Sequence, residues 1–129
     1  MAGISEFEKT KKCSGTFVLA VNDTMNVISG KWKLPIIGSL IYGKKRFTEM
    51  ERDIPGITPR MLSKELKELE LNGVVTRTVY STIPVSVQYE LTRSGESFKK
   101  VLEVMVEWGL QHRKTVFGKK VKNVDGIAA

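Results

Sequence analysis

The 129-residue sequence has few of the residues on which enzymes and metal sites rely. It contains one histidine and one cysteine, and it has neither a glycine-rich phosphate-binding loop nor a cluster of metal ligands. A single cysteine cannot form an internal disulfide, which agrees with a reducing compartment. We therefore expect a protein that is not an enzyme and that needs no metal or other cofactor.

Long apolar segments are also absent. No apolar run approaches the roughly 18 residues that span a membrane, and the N-terminus lacks the basic and then apolar order of a signal peptide. These absences predict a cytoplasmic protein with no membrane partner.

Because 21 Lys and Arg outnumber 14 Asp and Glu, the net charge is +7. This charge favours a polyanionic partner such as nucleic acid, although an anionic membrane surface or mere solubility would also fit.

The length suits one compact domain, which can bury a core without disulfides. Residues 1–15 are polar and predict a loose N-terminal arm or a weak first helix. Residues 16–115 carry the apolar periodicity of a folded domain, and residues 116–129 form a basic C-terminal tail. The first two helices are predicted from the apolar positions Val18, Val21, Met25 and Ile28 and from the apolar run 34–41.

The segment from Thr58 to Asn72 is the most informative part of the chain. Thr58 suits an N-cap, Pro59 suits the first helical position, and Gly73 supplies a left-handed stop. The helix is predicted to bury a stripe of leucines, namely Leu62, Leu66 and Leu69. The opposite stripe is polar and basic and contains Arg60, Ser63, Lys64 and Lys67. We interpret this stripe as a face that contacts nucleic acid.

A short helix precedes this segment and has its own start signal. Thr48 and Glu51 fit a capping box, and Pro55-Gly56 ends the helix. A short helix, a Pro-Gly turn and a capped helix with a basic outer face make a helix-turn-helix, whose second helix enters a DNA groove. The alternative is an ordinary solvated helix on which Lys64 and Glu68 form an exposed pair.

After Gly73 the apolar period changes from helical to alternating, which indicates strands. The clearer strand has one apolar face, formed by Val85, Val87, Tyr89 and Leu91. A two-stranded hairpin over residues 75–91, with its tip at 81–84, must pack on the helices to be stable. A helix-turn-helix followed by such a hairpin is a winged helix. A short extended piece is also predicted at Arg46-Phe47.

The last predicted helix, residues 94–115, is too apolar to cover only its own core. Its main stripe is Phe98, Leu102, Met105, Gly109 and His112, and the arc is widened by Val101, Val104, Val106, Trp108 and Leu110. A helix of a second copy is the simplest cover, since two-fold dimers are the commonest soluble oligomers. The alternative is a helix sunk deeply in its own domain.

The predicted fold is α+β and mostly helical. It is a winged helix-turn-helix with added N- and C-terminal dimerisation helices.

Three segments resemble the HxlR-type family of bacterial winged helix-turn-helix transcription regulators, which are distant relatives of the MarR-like regulators. The segments are Gly30-Lys31-Trp32 with the apolar helix after it, residues 45–62, and residues 79–92. They follow the family's order and spacing over about residues 18–112. The resemblance implies a homodimer that binds operator DNA, with the helix 58–72 in the major groove and the wing 75–91 on the backbone or in the minor groove.

The resemblance and the basic face together define the candidate site residues. The DNA contacts are predicted to be Thr58, Pro59, Arg60, Ser63, Lys64, Lys67, Arg46 and Arg77. The dimer seam, formed by the first and last helices, is predicted to contain Val18, Val21, Phe98, Leu102, Met105, Trp108 and Gly109. The predicted function is sequence-specific regulation of transcription. The alternative is a winged-helix module that contacts other proteins without binding specific DNA.

Cys13 is the candidate oxidant sensor, because several members of the family carry a regulatory cysteine before the first helix. That cysteine lies about thirteen residues ahead of the tryptophan, and aligned on Trp32 the position is Leu19. Lys11 and Lys12 beside Cys13 would favour its thiolate form by lowering its pKa. The alternative is an unreactive thiol. Whether the effector is an oxidant or a small molecule stays open.

Overall fold

A computed structural model describes residues 14–118 as helices around a small antiparallel sheet. The elements are α1 Ser14–Ile28, α2 Lys33–Leu40, β1 Lys45–Arg46, α3 Phe47–Asp53, α4 Pro59–Leu71, β2 Val75–Tyr80, β3 Ser86–Leu91, α5 Arg93–Ser97 and α6 Lys99–Phe117. The predicted winged helix-turn-helix is confirmed. Most of the predicted arm and tail lies outside the described residues, and α1 and α6 extend two residues beyond the predicted limits 16 and 115. Between residues 14 and 118, no helix is long and apolar enough to cross a membrane.

The core lies between α2, α4 and the base of the sheet. Pro35 lies in the first turn of α2, where a proline is tolerated, and most of the helix's apolar side chains are buried. The largest fully buried side chains are Ile36, Ile37 and Leu40 of α2, Leu62, Leu66 and Leu69 of α4, Met50 of α3 and Val75 of β2. The leucine stripe predicted for the second helix of the motif therefore packs directly on the central helix.

The sheet has three strands in the order β1-β3-β2, one more than the predicted hairpin. β1 pairs with β3 through Lys45 opposite Tyr89 and Arg46 opposite Gln88. β2 pairs with β3 along their whole length, from Val75 opposite Leu91 to Tyr80 opposite Ser86. β1 covers the outer edge of β3, which would otherwise present unpaired backbone groups. The wing is thus joined to the segment that leads into the helix-turn-helix.

The start of α3 differs from the prediction. The structure begins the helix at Phe47, with Arg46 in an extended conformation at the N-cap position. The Arg46 backbone N–H donates to Glu49 Oε1 at 2.7 Å, so the glutamate that closes the first turn is Glu49 and not Glu51. The predicted capping box at Thr48 was wrong because β1 runs straight into the helix, which moves the cap two residues toward the N-terminus.

The predicted last helix is two helices that meet at Phe98. Thr92 begins α5, because its Oγ1 accepts a hydrogen bond from the Gly95 N–H at 3.1 Å and donates to the Gly73 carbonyl at 2.6 Å. Gly95 is buried against the chain that leads into β2, and a Cβ added there would lie 2.4 Å from the Val74 carbonyl oxygen. This close approach holds α5 on the sheet and sets the direction in which α6 leaves the domain.

The Gly95→Ala substitution is expected to lower the free energy of unfolding by about 1–3 kcal/mol, because the new methyl group has to displace backbone. Gly15→Ala is the matched control, since Gly15 is also helical and no atom lies within 4 Å of its added Cβ. Urea unfolding of both variants and the wild type measures the difference. Equal stabilities for the two variants would contradict the close packing of α5.

The apolar surfaces of α1 and α6 correct part of the predicted seam. Phe98 packs against the core and Leu102 is only 6% exposed, so both serve the protomer itself. Gly109 lies seven residues after Leu102, hence on the same side of the helix. The break at Phe98 and the packing on the core turn a different side of α6 outward than the period alone indicated. The large apolar residues that remain exposed are Phe17, Val18, Leu19, Val21 and Met25 of α1 and Val101, Val104, Met105, Trp108, Val116 and Phe117 of α6.

Candidate nucleic-acid interface

The turn between α3 and α4 fixes how the second helix of the motif is presented. Ile54 and Ile57 on either side of the turn are buried, which holds both helix ends on the core. Gly56 adopts a left-handed conformation, with φ of +86°, as the sharp change of direction requires. Thr58 Oγ1 then accepts a hydrogen bond from the Met61 N–H at 3.1 Å, so the predicted N-cap of α4 is confirmed.

One side of α4 is a continuous exposed surface. The predicted contact residues Thr58, Pro59, Arg60, Ser63, Lys64 and Lys67 are all exposed. They lie on the first three turns of the helix, on the side away from its buried leucines. We call these six residues the α4 face. Its three cations and two hydroxyl groups are donors suited to base edges and phosphates.

Arg46 and Arg77 are also exposed, but they do not extend one common patch. Residues directly paired across a sheet share a face, and faces alternate along a strand. Arg77 stands opposite Tyr89, and Arg46 stands opposite Gln88, so the two arginines are on opposite faces of the wing. Beyond Arg77, residues 78–89 contain no Lys or Arg, and Ile83 at the tip is fully exposed. The distal wing is therefore uncharged and carries an exposed apolar side chain at its tip.

The most buried charge among the described residues, Lys33, was not identified from the sequence. Lys33 is 5% exposed, and its Nζ lies 2.6 Å from Glu65 Oε1 and 2.6 Å from Glu68 Oε1 of α4. Glu68 thus bonds across to α2, and the exposed Lys64–Glu68 pair of the alternative interpretation is not its principal contact. We call these three residues the Lys33 clamp.

The clamp changes the protonation behaviour of its members. Burial by itself would lower the pKa of Lys33, but its hydrogen bonds to Glu65 and Glu68 and the attraction of their charges outweigh burial, so the pKa is raised. The hydrogen bond from Lys33 likewise holds the pKa of Glu68 below its usual range. Lys33 and Glu68 are therefore both charged at neutral pH.

Two further lysines brace the wing against the helices. Lys45 of β1 forms an ion pair with Asp53 of α3, and Ser39 Oγ donates to the same carboxylate at 3.0 Å. The hydrogen bond from Lys45 keeps the pKa of Asp53 below its usual range. Lys44 Nζ donates to the Tyr80 hydroxyl at 3.0 Å and lies 5.0 Å from the centre of its ring. These contacts join β1 to α3 and the loop before β1 to β2.

Residues suited to other chemistry are few in the part of the chain that the structure describes. No three His, Cys, Asp or Glu side chains between residues 14 and 118 are grouped so as to hold a metal ion. His112 is exposed and stacks on Trp108 with ring centres 4.6 Å apart, rather than filling a core position. Cys13 lies outside the described residues.

Comparison with known proteins assigns the fold to a family. The model of the HxlR-like helix-turn-helix family matches residues 27–117, from the last turn of α1 to the end of α6. The chain belongs to the HxlR-like family. The resemblance noted in the sequence is thereby confirmed.

Other HxlR-like and MarR-type proteins share both sequence and structure with the chain. The Bacillus subtilis strain 168 protein YtcD, an uncharacterised helix-turn-helix-type transcriptional regulator, is 43% identical over 78% of this chain and 79% of its own. The reduced form of the redox regulator HypR is 42% identical, with a TM-score of 0.72 over 78% of this chain and 99% of its own. A MarR-family regulator from Enterococcus faecalis V583 is 33% identical, with a TM-score of 0.69 over 78% and 92%.

These HxlR-like relatives are transcriptional regulators and not enzymes. The chain is accordingly a DNA-binding transcriptional regulator of the winged-helix type.

Proposed function

We propose that this regulator acts in the cytoplasm as a homodimer that binds a specific operator sequence in double-stranded DNA. In each protomer α4 would enter the major groove, which is wide enough for one helix. The observation that carries the proposal is the α4 face, because six exposed residues of donor or small character stand on the first turns of a helix held rigidly from behind. A helix-turn-helix places that part of its second helix against base edges.

We divide the α4 face by reach and chemistry. Arg60 and Lys64 would contact bases, since an arginine or lysine can donate to the O6 and N7 acceptors of guanine. Lys67 lies one turn further from the helix start and would contact a phosphate, as would the Ser63 hydroxyl. Thr58 and Pro59 stand at the N-terminus of α4, where free backbone amides and the helix dipole favour a phosphate.

The wing would lie in the adjacent minor groove rather than along the backbone. Cations make the contacts to phosphates that dominate affinity, and residues 78–89 carry none. Apolar side chains such as Ile83 are used by other proteins on the minor-groove side of DNA. Arg77 at the base of the wing would contact a DNA phosphate. Arg46, on the opposite face of the wing next to the helix-turn-helix, would contact the DNA backbone there.

The exposed apolar surfaces of α1 and α6 support the dimer. Every residue from Gly15 to Asn26 is exposed, although the helix carries an apolar stripe. Contiguous apolar surface of this kind marks an interaction site, and a two-fold pair of protein copies suits two DNA half-sites. The proposed seam consists of Val18, Val21, Met25, Val101, Val104, Met105 and Trp108. The chain before α1 and the chain after α6 would form an N-terminal arm and a basic C-terminal tail.

Selection of genomic DNA tests this function. The purified protein would be mixed with sheared DNA of the organism that encodes it, and the retained fragments would be sequenced. We expect one recurring motif with two related halves, separated by about one helical turn from centre to centre. Retention of fragments without a shared motif would contradict specific operator binding.

A separate prediction concerns oxidants, because the similar protein HypR is a redox regulator. The position that the regulatory cysteine takes in several family members is Leu19 here, an exposed apolar residue of α1. Treatment with a thiol oxidant is therefore expected to leave operator affinity unchanged within about twofold in the wild type and in Cys13→Ser. Gel-shift titration before and after oxidation measures this. An oxidant response that Cys13→Ser abolishes, with reduced affinity intact, would instead establish Cys13 as a sensor.

A further inference from the structure

The Lys33 clamp links the central helix to the helix that would read DNA. Lys33 is the first residue of α2, a helix held in the core by Ile36, Ile37 and Leu40. Glu65 and Glu68 are three residues apart on α4 and therefore share one flank, between the leucine stripe and the α4 face. The clamp thus contacts α4 from the side, whereas the leucines contact it from behind.

These two kinds of contact constrain α4 differently. Packing of a leucine stripe is non-directional, so a small rotation of α4 about its own axis would keep most of the buried apolar area. Charge-assisted hydrogen bonds have defined lengths and directions, and both distances in the clamp are 2.6 Å. Rotation of α4 would lengthen or break at least one of them. The clamp is therefore the contact that is sensitive to the rotation of the helix.

We propose that Lys33 is a positioning residue for sequence recognition. By holding Glu65 and Glu68, it sets the rotation of α4 and so determines which base edges Arg60 and Lys64 reach. The inference rests on the proposed function, because it assumes that α4 reads bases. It assigns Lys33 an effect on specificity although its buried ammonium group does not face DNA.

The competing explanation is that the clamp only stabilises the fold. The two explanations separate because apolar residues of similar volume can replace a buried ion pair with little or no loss of stability, while they carry no directional bond. The triple variant Lys33→Met, Glu65→Met, Glu68→Gln makes this replacement. It raises the net charge by one, from +7 to +8, since one positive and two negative charges are removed. Weaker binding of the variant would therefore not follow from a lower overall charge.

The test measures the ratio of operator affinity to random-duplex affinity. We expect the triple variant to keep its random-duplex affinity within about twofold and to lose about tenfold or more of the ratio, the size of one displaced base contact. Glu68→Gln alone, at a half-exposed position, is expected to stay folded and to lose part of the ratio. Its matched control is Glu70→Gln, the same change at an exposed site on the other flank of α4, which should leave the ratio unchanged.

If the wild type bound the operator and the random duplex with nearly equal affinity, the proposed function would be contradicted. The role of the clamp in positioning α4 would not be. The clamp itself is tested without DNA by NMR relaxation dispersion of the α4 backbone amides. We expect microsecond-to-millisecond exchange along α4 in the triple variant and in Glu68→Gln, and none in the wild type or in Glu70→Gln. Flat dispersion in all four proteins, or an unchanged affinity ratio in a stably folded triple variant, would overturn the assignment of Lys33 as a positioning residue.

Discussion

The Trp108→Glu variant is expected to be a folded monomer that binds a two-half-site operator at least about 100-fold more weakly than the wild type. Trp108 is the largest exposed apolar side chain of α6 and is 65% exposed in the protomer, so its replacement removes little of the protomer's own packing. In a dimer the new carboxylate would be buried without a partner, which costs several kcal/mol. Without the seam, the second half-site no longer benefits from a high effective concentration.

Sedimentation across a dilution series, with operator titration at each concentration, measures both effects of Trp108→Glu. Trp108→Phe keeps an aromatic group at the same site and should remain dimeric. Lys99→Glu puts the same acid on α6 outside the exposed apolar side and should also remain dimeric. A wild type that is monomeric at every concentration, yet binds its operator tightly, would refute both the seam and the avidity argument.

The second large effect is the dependence of DNA binding on salt. If the dimer neutralises six or more phosphates, its affinity for duplex DNA should fall by about 10³ or more between about 50 and 200 mM salt, because each neutralised phosphate releases condensed counterions. The net charge of +7 per chain and the three cations of the α4 face motivate this expectation.

Single substitutions locate the salt effect on the molecule. Lys67→Ala removes a proposed phosphate contact, so the slope of log affinity against log salt should become shallower by about one for each phosphate that is no longer neutralised. Lys100→Ala removes an equal charge from α6 and should leave the slope unchanged. Fluorescence anisotropy at several salt concentrations provides the slopes. Binding that is indifferent to salt, or stronger for single strands than for duplex, would contradict phosphate-based DNA binding.

The helix at the centre of this function could be predicted because its signals are local. The hydroxyl of Thr58, the ring of Pro59 and the left-handed Gly73 each act within one helical turn, and the leucine stripe repeats within a single segment. Predictions from local sequence signals were wrong only where a neighbouring strand or helix determined the conformation. β1 runs straight into α3 and so places its cap at Arg46 instead of Thr48. The sequence did not show this, because a strand only two residues long has no apolar period.

Contacts between distant segments were beyond prediction. Lys33 lies in a polar and aromatic corner, where a lysine is typically solvated, and the acids that bury it are 32 and 35 residues away. The inward positions of Phe98 and Leu102 were missed for a related reason. The spacing of apolar residues in α6 gives the width of its apolar arc. Which half of that arc faces the protomer's own core depends on Gly95 and on the junction at Phe98, and both are set by packing on the sheet.

The central claim is that the α4 face reads sequence, and parallel titration of Arg60→Ala and Lys67→Ala tests it most directly. Each variant and the wild type would be titrated with the operator and with a random duplex of equal length at fixed salt. We predict that Arg60→Ala loses about 1–3 kcal/mol on the operator and almost nothing on the random duplex, whereas Lys67→Ala weakens both equally. Equal losses for both variants on both duplexes would show that α4 contacts DNA without reading it, and the claim would fail.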